Sequence, residues 1–100
     1  MKLDVQGDTV RISAVRQLGA ANANAFRDWV RGAMTDGERN LDIDLSQTTF
    51  LDSCGLGALI ALNKTVRGRA GTLRLLRPQP PVQQLLELTR MDQLFEIVKA

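Results

Sequence analysis

The spacing of apolar residues switches repeatedly between two periods along this chain, and few architectures accommodate such switching. "LDIDL" (Leu41 to Leu45) alternates apolar and acidic residues, as a half-buried strand does. From Ser53 or Cys54 through about Arg67 the period becomes helical, with Leu56, Leu59, Ile60, Asn63 and Val66 on one side. Gly68 to Gly71 ends that helix, and "TLRLL" (Thr72 to Leu76) reads as a strand again. "RPQPP" is a loop whose Pro81 suits the first turn of another helix, where a missing N–H costs nothing. Val82, Leu85, Leu86 and Thr89 make that helix's inner stripe, and "LFEIV" closes as a final strand.

Upstream, "KLDVQ" and "TVRISAV" both alternate around a "GD" punctuation, which predicts a hairpin. "RQLGAANAN" breaks the pattern. "ANAFRDWVRGAMTDG" then places Phe26, Trp29, Val30 and Ala33 on one helical face, with Arg27, Asp28 and Arg31 turned away and Asp36-Gly37 as the stop. The expected order is β-β-α-β-α-β-α-β. An opening hairpin followed by alternating helices and strands predicts a mixed sheet of four to five strands, with right-handed crossovers and helices packed on one face. One hundred residues, 44% of them hydrophobic, suit a single α/β domain over residues 1–100.

Absences narrow the chemistry. The chain has no histidine, so neither a Ser-His-Asp nor a Cys-His arrangement can be built. One cysteine excludes an internal disulfide and, without histidine, argues against zinc; Asp42, Asp44 and Asp52 lack calcium-loop spacing. No metal, cofactor or catalytic role is expected. The net charge is +2, the arginines are scattered, and tyrosine is absent, which is a poor footprint for nucleic acid. Those arginines read as solvated helix faces and strand ends. No run approaches the ~20 apolar residues of a membrane span, and "MKLDVQGDTV" is no signal peptide, so a cytoplasmic protein is expected.

One stretch, "TTFLDSCGLGALIAL" (Thr48 to Leu62), gathers small and polar residues where a helix begins. Gly55 and Gly57 lack the third glycine of a dinucleotide fingerprint, since position 60 is Ile, and no Gly-Lys-Ser/Thr follows. Cys54 has no base nearby in sequence and reads as a half-buried packing residue, with a thiol enzyme the remote alternative. Ser53 falls at the helix entry, where its hydroxyl suits an N-cap. The glycines cost helix stability yet clear side chains from the helix end, as a surface approached by another backbone requires. A serine there is also a good switch: a phosphate adds about −1.5 to −2 charges. The free N–H groups of the helix end can hold that phosphate, so the fold survives while a docked partner is expelled.

The same residues carry a family resemblance. "LDIDLSQTTFLDSCGLGALIAL", with two strands before it and "GTLRLL…PPVQQLLELTRMDQLFEIV" after it, resembles the STAS domain of bacterial anti-sigma factor antagonists over about residues 3–98. Phe50-Leu51-Asp52-Ser53-Cys54-Gly55-Leu56-Gly57 matches the family's aromatic-aliphatic-Asp-Ser-Ser/Thr/Cys-Gly-Leu-Gly signature. The resemblance implies a partner switch rather than an enzyme. The unmodified antagonist binds a serine kinase that is also the anti-sigma factor; that kinase phosphorylates the serine after the motif's Asp, here Ser53, and a PP2C-type phosphatase resets it. Asp52 carries over as the acid beside the acceptor, and Cys54, Gly55, Leu56 and Gly57 as the docking helix end. Arg16 and Leu18 of the neighbouring loop complete the face. At this loop the family's Gly-x-Leu/Ile-Asp stretch reads Arg16-Gln17-Leu18-Gly19, a departure that bears on kinase recognition. The short carboxyl end after "LFEIV" suggests a specialised partner or self-association. The alternative reading is an unphosphorylated STAS scaffold, or an accessory subunit of a signalling complex or lipid transporter.

Overall fold

The chain opens with a hairpin, β1 (Lys2–Gln6) and β2 (Thr9–Ser13), joined through Gly7 in the left-handed region at φ +61°. Glycine occupies that first turn position because a side chain there would be strained. Each later strand of the main sheet is reached by a helical crossover. α1 (Ala23–Ala33) leads from β2 to β4 (Asn40–Asp44), α2 (Ser53–Gly68) from β4 to β6 (Leu73–Leu76), and α3 (Pro80–Leu88) from β6 to β7 (Glu96–Val98). The computed structural model describes residues 1–99 in these terms. The five-stranded sheet runs β1-β2-β4-β6-β7, with β1 antiparallel and the other pairings parallel.

The crossovers advance across the sheet in one direction, so right-handed connections place all three helices on one face. The core lies between that face and the helices: Val10, Ile12, Leu41, Ile43 and Leu75 from the strands meet Phe26, Val30, Leu59, Leu62 and Leu86 from the helices. The mixed sheet with one helical layer matches the expectation from sequence. Three details differ. Trp29, expected on the inner face of α1, is 41% exposed; Ala23 and Phe26 take the buried positions nearer the helix start. Thr89 is exposed beyond the end of α3, where its hydroxyl donates to the Leu85 carbonyl at 2.8 Å. A single 3-10 turn (Met91–Gln93) precedes β7, so the last strand starts at Glu96 and Phe95 serves the core instead.

The opposite face of the sheet is ionic. Asp42 and Asp44 of β4 alternate with core residues and are almost wholly buried, which a carboxylate tolerates only with a partner. Arg74 grips Asp42 through two bonds of 2.9 and 2.6 Å, and Arg77 and Arg11 share Asp44. Burial alone would raise the Asp44 carboxyl, but the Ser46 N–H and hydroxyl and the Arg77 guanidinium outweigh it and hold the group below its usual range. These arginines are thus counter-ions of the central strand rather than scattered surface charges.

Leu59 of α2 is fully buried between helix and sheet. Leu59→Ala is expected to cost about 2–5 kcal/mol, read as a lowered urea midpoint with an unchanged slope.

Candidate functional site

β2 and β4 are adjacent and parallel, so the connectors leaving their carboxyl ends emerge side by side. Hydrogen bonds then stitch the two connectors together. Buried Thr48 donates its hydroxyl to the Val15 carbonyl at 2.5 Å. The Arg16 carbonyl accepts from the Thr49 N–H at 2.9 Å and the Thr49 hydroxyl at 3.2 Å. Beyond them β3 (Gln17–Leu18) and β5 (Phe50–Leu51) form a separate two-stranded parallel sheet, absent from the sequence expectation. Two residues per strand carry no readable period, and only pairing across 33 positions makes them strands.

The chain leaves β5 extended at Asp52 (φ −115°, ψ −174°) and enters α2 at Ser53. Asp52, not Ser53, caps the helix: one carboxylate oxygen accepts the Gly55 N–H at 3.0 Å, and the first intrahelical bond runs from the Leu56 N–H to the Asp52 carbonyl. Its other oxygen accepts the Ala20 N–H at 3.0 Å, bridging the helix end to the neighbouring connector. These N–H groups, Gly55 first and Ala20 next, hold the Asp52 carboxyl below its ordinary pKa. The expectation of a Ser53 cap is therefore corrected. Ser53 is one residue inside the helix, exposed, with the capping done by its neighbour.

The other site residues separate into two groups. Cys54 and Gly57, on α2 with Ser53, are exposed, as are Arg16 of the neighbouring connector and Phe50 at 50%. The half-buried packing role expected of Cys54 is wrong; its side chain leaves the helix on the solvent side. Leu18, Gly55 and Leu56 are buried and offer no docking surface of their own. Leu18 and Leu56 belong to the core and support the surface from beneath. Gly55 is required by an internal approach: a Cβ there would lie 2.2 Å from the Leu18 carbonyl oxygen, whereas one at Gly57 would meet nothing within 4 Å. Only Gly57 fits the expected role of clearing the exposed helix end.

Gly19, where the resembled family carries Asp, is also accounted for. A Cβ there would stand 2.6 Å from the Phe50 ring and 2.7 Å from an Asp52 carboxylate oxygen. Asp52, aimed at the Ala20 N–H, thus occupies the space that a residue 19 side chain would need. Next to it is an open recess of about 390 Å³ whose walls include Gln17, Ala20, Asn22, Phe50 and Asp52. Ala20 and Asn22 were missed from sequence. Asn22 accepts the Gly19 N–H at 3.0 Å and donates to the Gln17 carbonyl at 2.9 Å, so it shapes the loop instead of capping α1. An Asn just before a helical period was the available signal.

Two glycines two residues apart should respond oppositely to the same change. Gly55→Ala is expected to destabilise by about 1–3 kcal/mol through collision with the β3 backbone. Gly57→Ala should stabilise by up to about 1 kcal/mol through helix propensity, with both read from chemical denaturation. A pH series tests the cap. A carboxyl whose folded pKa is depressed contributes stability above its unfolded value, near 3.8, and loses that contribution as pH falls through the folded value. The gap in melting temperature between wild type and Asp52→Asn should therefore be full at neutral pH and shrink progressively as pH falls below the unfolded value.

A family model described as STAS domain matches residues 1–100. A STAS-domain containing protein of Pseudomonas aeruginosa is 34% identical over 95 residues, covering 94% of this chain and 90% of that one. A Thermotoga maritima protein, provisionally named an anti-sigma factor antagonist, is 28% identical over 91 residues, or 90% of this chain and 80% of the other. A crystal structure under that description from Thermotoga maritima superposes with a TM-score of 0.89 at 25% identity, covering 99% of this chain and 86% of its own.

Proposed function

The chain belongs to the STAS domain family, and on that footing we propose that it is an anti-sigma factor antagonist working by partner switching. In its unmodified form it binds an anti-sigma factor that is also a serine kinase, and phosphorylation of Ser53 releases it. A PP2C-type phosphatase restores the binding form. The domain is the substrate of its partner and carries out no reaction itself.

The separation of capping from exposure supports this reading most directly. The Ser53 hydroxyl stands in solvent at the first turn of α2, while Asp52 performs the structural work beside it. A phosphate on Ser53 leaves the Asp52 bonds to Gly55 and Ala20 in place as chemistry, yet puts a dianion beside the Asp52 carboxylate. Helix N–H groups not already engaged by Asp52 offset part of that repulsion. A partner surface packed on Phe50, Cys54 and Gly57 meets a dianion where it had met a neutral hydroxyl, and the interface is lost. The docking face comprises Arg16, Phe50, Ser53, Cys54 and Gly57, with the recess beside Asp52 as the place for a protruding partner side chain.

Because Ser53 is not the cap, its removal should be nearly silent in the fold. Ser53→Ala is expected to change stability by less than about 0.5 kcal/mol. With ATP and candidate anti-sigma kinases, intact mass should show one phosphate on wild type and none on Ser53→Ala. Ser53→Asp should weaken kinase binding at least about tenfold while melting like wild type. A wild-type protein that binds such a kinase and is never modified would instead establish the scaffold reading.

A further inference from the structure

β1 forms one edge of the main sheet, and its outer backbone groups have no strand beside them. The edge carries charge only at Lys2 and Asp4, one of each sign, and is otherwise unprotected. It contains no proline, and its five pairings with β2 run without a bulge. Leu3 and Val5 pair with Ile12 and Val10, so they lie on the helical face of the sheet. The helical layer covers Leu3 only in part and leaves Val5 52% exposed. Beside them Met1, 50% exposed, and Trp29, 41% exposed, wall a shallow groove of about 250 Å³ with Ala25 and Phe26. Five large apolar side chains are strongly exposed among the described residues, and three of them, Met1, Val5 and Trp29, border this edge.

We infer that β1 pairs antiparallel with β1 of a second copy, joining two sheets about a two-fold axis through Leu3. The sequence of the strand selects this occupant and this register. Residues directly opposite in an antiparallel pair point to the same side of the sheet, so a two-fold axis normal to the sheet must pass through one residue. An axis at Lys2 opposes Lys2 to Lys2, and one at Asp4 opposes Asp4 to Asp4, each a like-charge pair. An axis at Leu3 opposes Lys2 to Asp4 twice, Leu3 to Leu3, and Met1 to Val5. The charged pairs fall on the open face and the apolar ones on the helical face, beside the groove that holds Trp29. From Met1 to Val5 each side chain in that register meets a complementary one, and the groove beneath is closed to solvent by the partner. The pairing uses nothing from Ser53, so it stands or falls separately from the switch.

A five-residue edge with a small apolar flank corresponds to weak self-association, so sedimentation equilibrium should span about 10 µM to about 1 mM. The wild-type mass is expected to rise from 11.0 kDa towards twice that value across the range. Lys2→Asp opposes two acidic pairs and Asp4→Lys two basic pairs, and each variant alone should stay at 11.0 kDa. Mixed in equal amounts, the two variants recreate both unlike pairs, and the heterodimer should form. Both side chains are exposed, and the melting temperature of each variant verifies its fold. A wild type that remains monomeric throughout would overturn the inference. So would a dimer that both single variants retain, or a mixture of folded variants that fails to associate.

Discussion

Three parallel crossovers step across the sheet in a single direction, and right-handedness puts every helix on the same side. Most other features follow from that one-sidedness. The uncovered face must satisfy solvent, yet β4 is central and tightly flanked, so its outward residues are charged and gripped by arginines from β2, from within β6 and from the residue just after β6. The helical layer is built from three crossovers over five strands, which leaves the antiparallel edge strand β1 thinly covered. Parallel neighbours β2 and β4 also deliver their following connectors to the same end of the sheet. The Ser53 surface is assembled there, outside the carboxyl ends of the strands, where open α/β sheets generally place their sites.

Within that site, helix capping and solvent exposure fall on adjacent residues. Asp52 closes the first turn of α2 and, through the Ala20 N–H, ties the helix to the preceding connector. Ser53 is thereby relieved of any capping duty. A modifiable residue that also capped its helix would couple every modification to helix stability. Here the two are separated by one position. Buried Leu18, Leu56 and the Leu18–Gly55 contact pack closely beneath the exposed residues. The absence of a side chain at residue 19 belongs to the same arrangement, because Asp52 occupies the space such a side chain would take.

The order of the main elements and the entry to α2 were legible because both rest on local pattern. Alternation in "LDIDL" and helical spacing after Cys54 reflect the face each residue presents, and Asp52-Ser53-Cys54-Gly55 marks a helix entry within a few positions. What the pattern could not convey was which member of a short motif performs which task. Asp52 and Ser53 are both good capping residues, and only the extended backbone at Asp52, set by pairing with β3, decides between them. Gly55 and Gly57 look equivalent in sequence, but the Leu18 carbonyl lies against the first and solvent against the second. Trp29 misled for a related reason: its spacing suits a buried stripe, while the sheet ends at β1 and leaves the ring only partly covered, beside Phe26.

The sequence by itself determined the α/β class, the single layer of helices, the family resemblance and the helix entry around Asp52 and Ser53, since periodicity and short motifs are properties of consecutive residues. Tertiary structure alone decided the β3–β5 pairing, the ionic partners of Asp42 and Asp44, the exposure of Cys54 and the open flank of β1. Each of those depends on residues roughly thirty positions apart, or on where the helical layer stops, and neither is encoded within a local window.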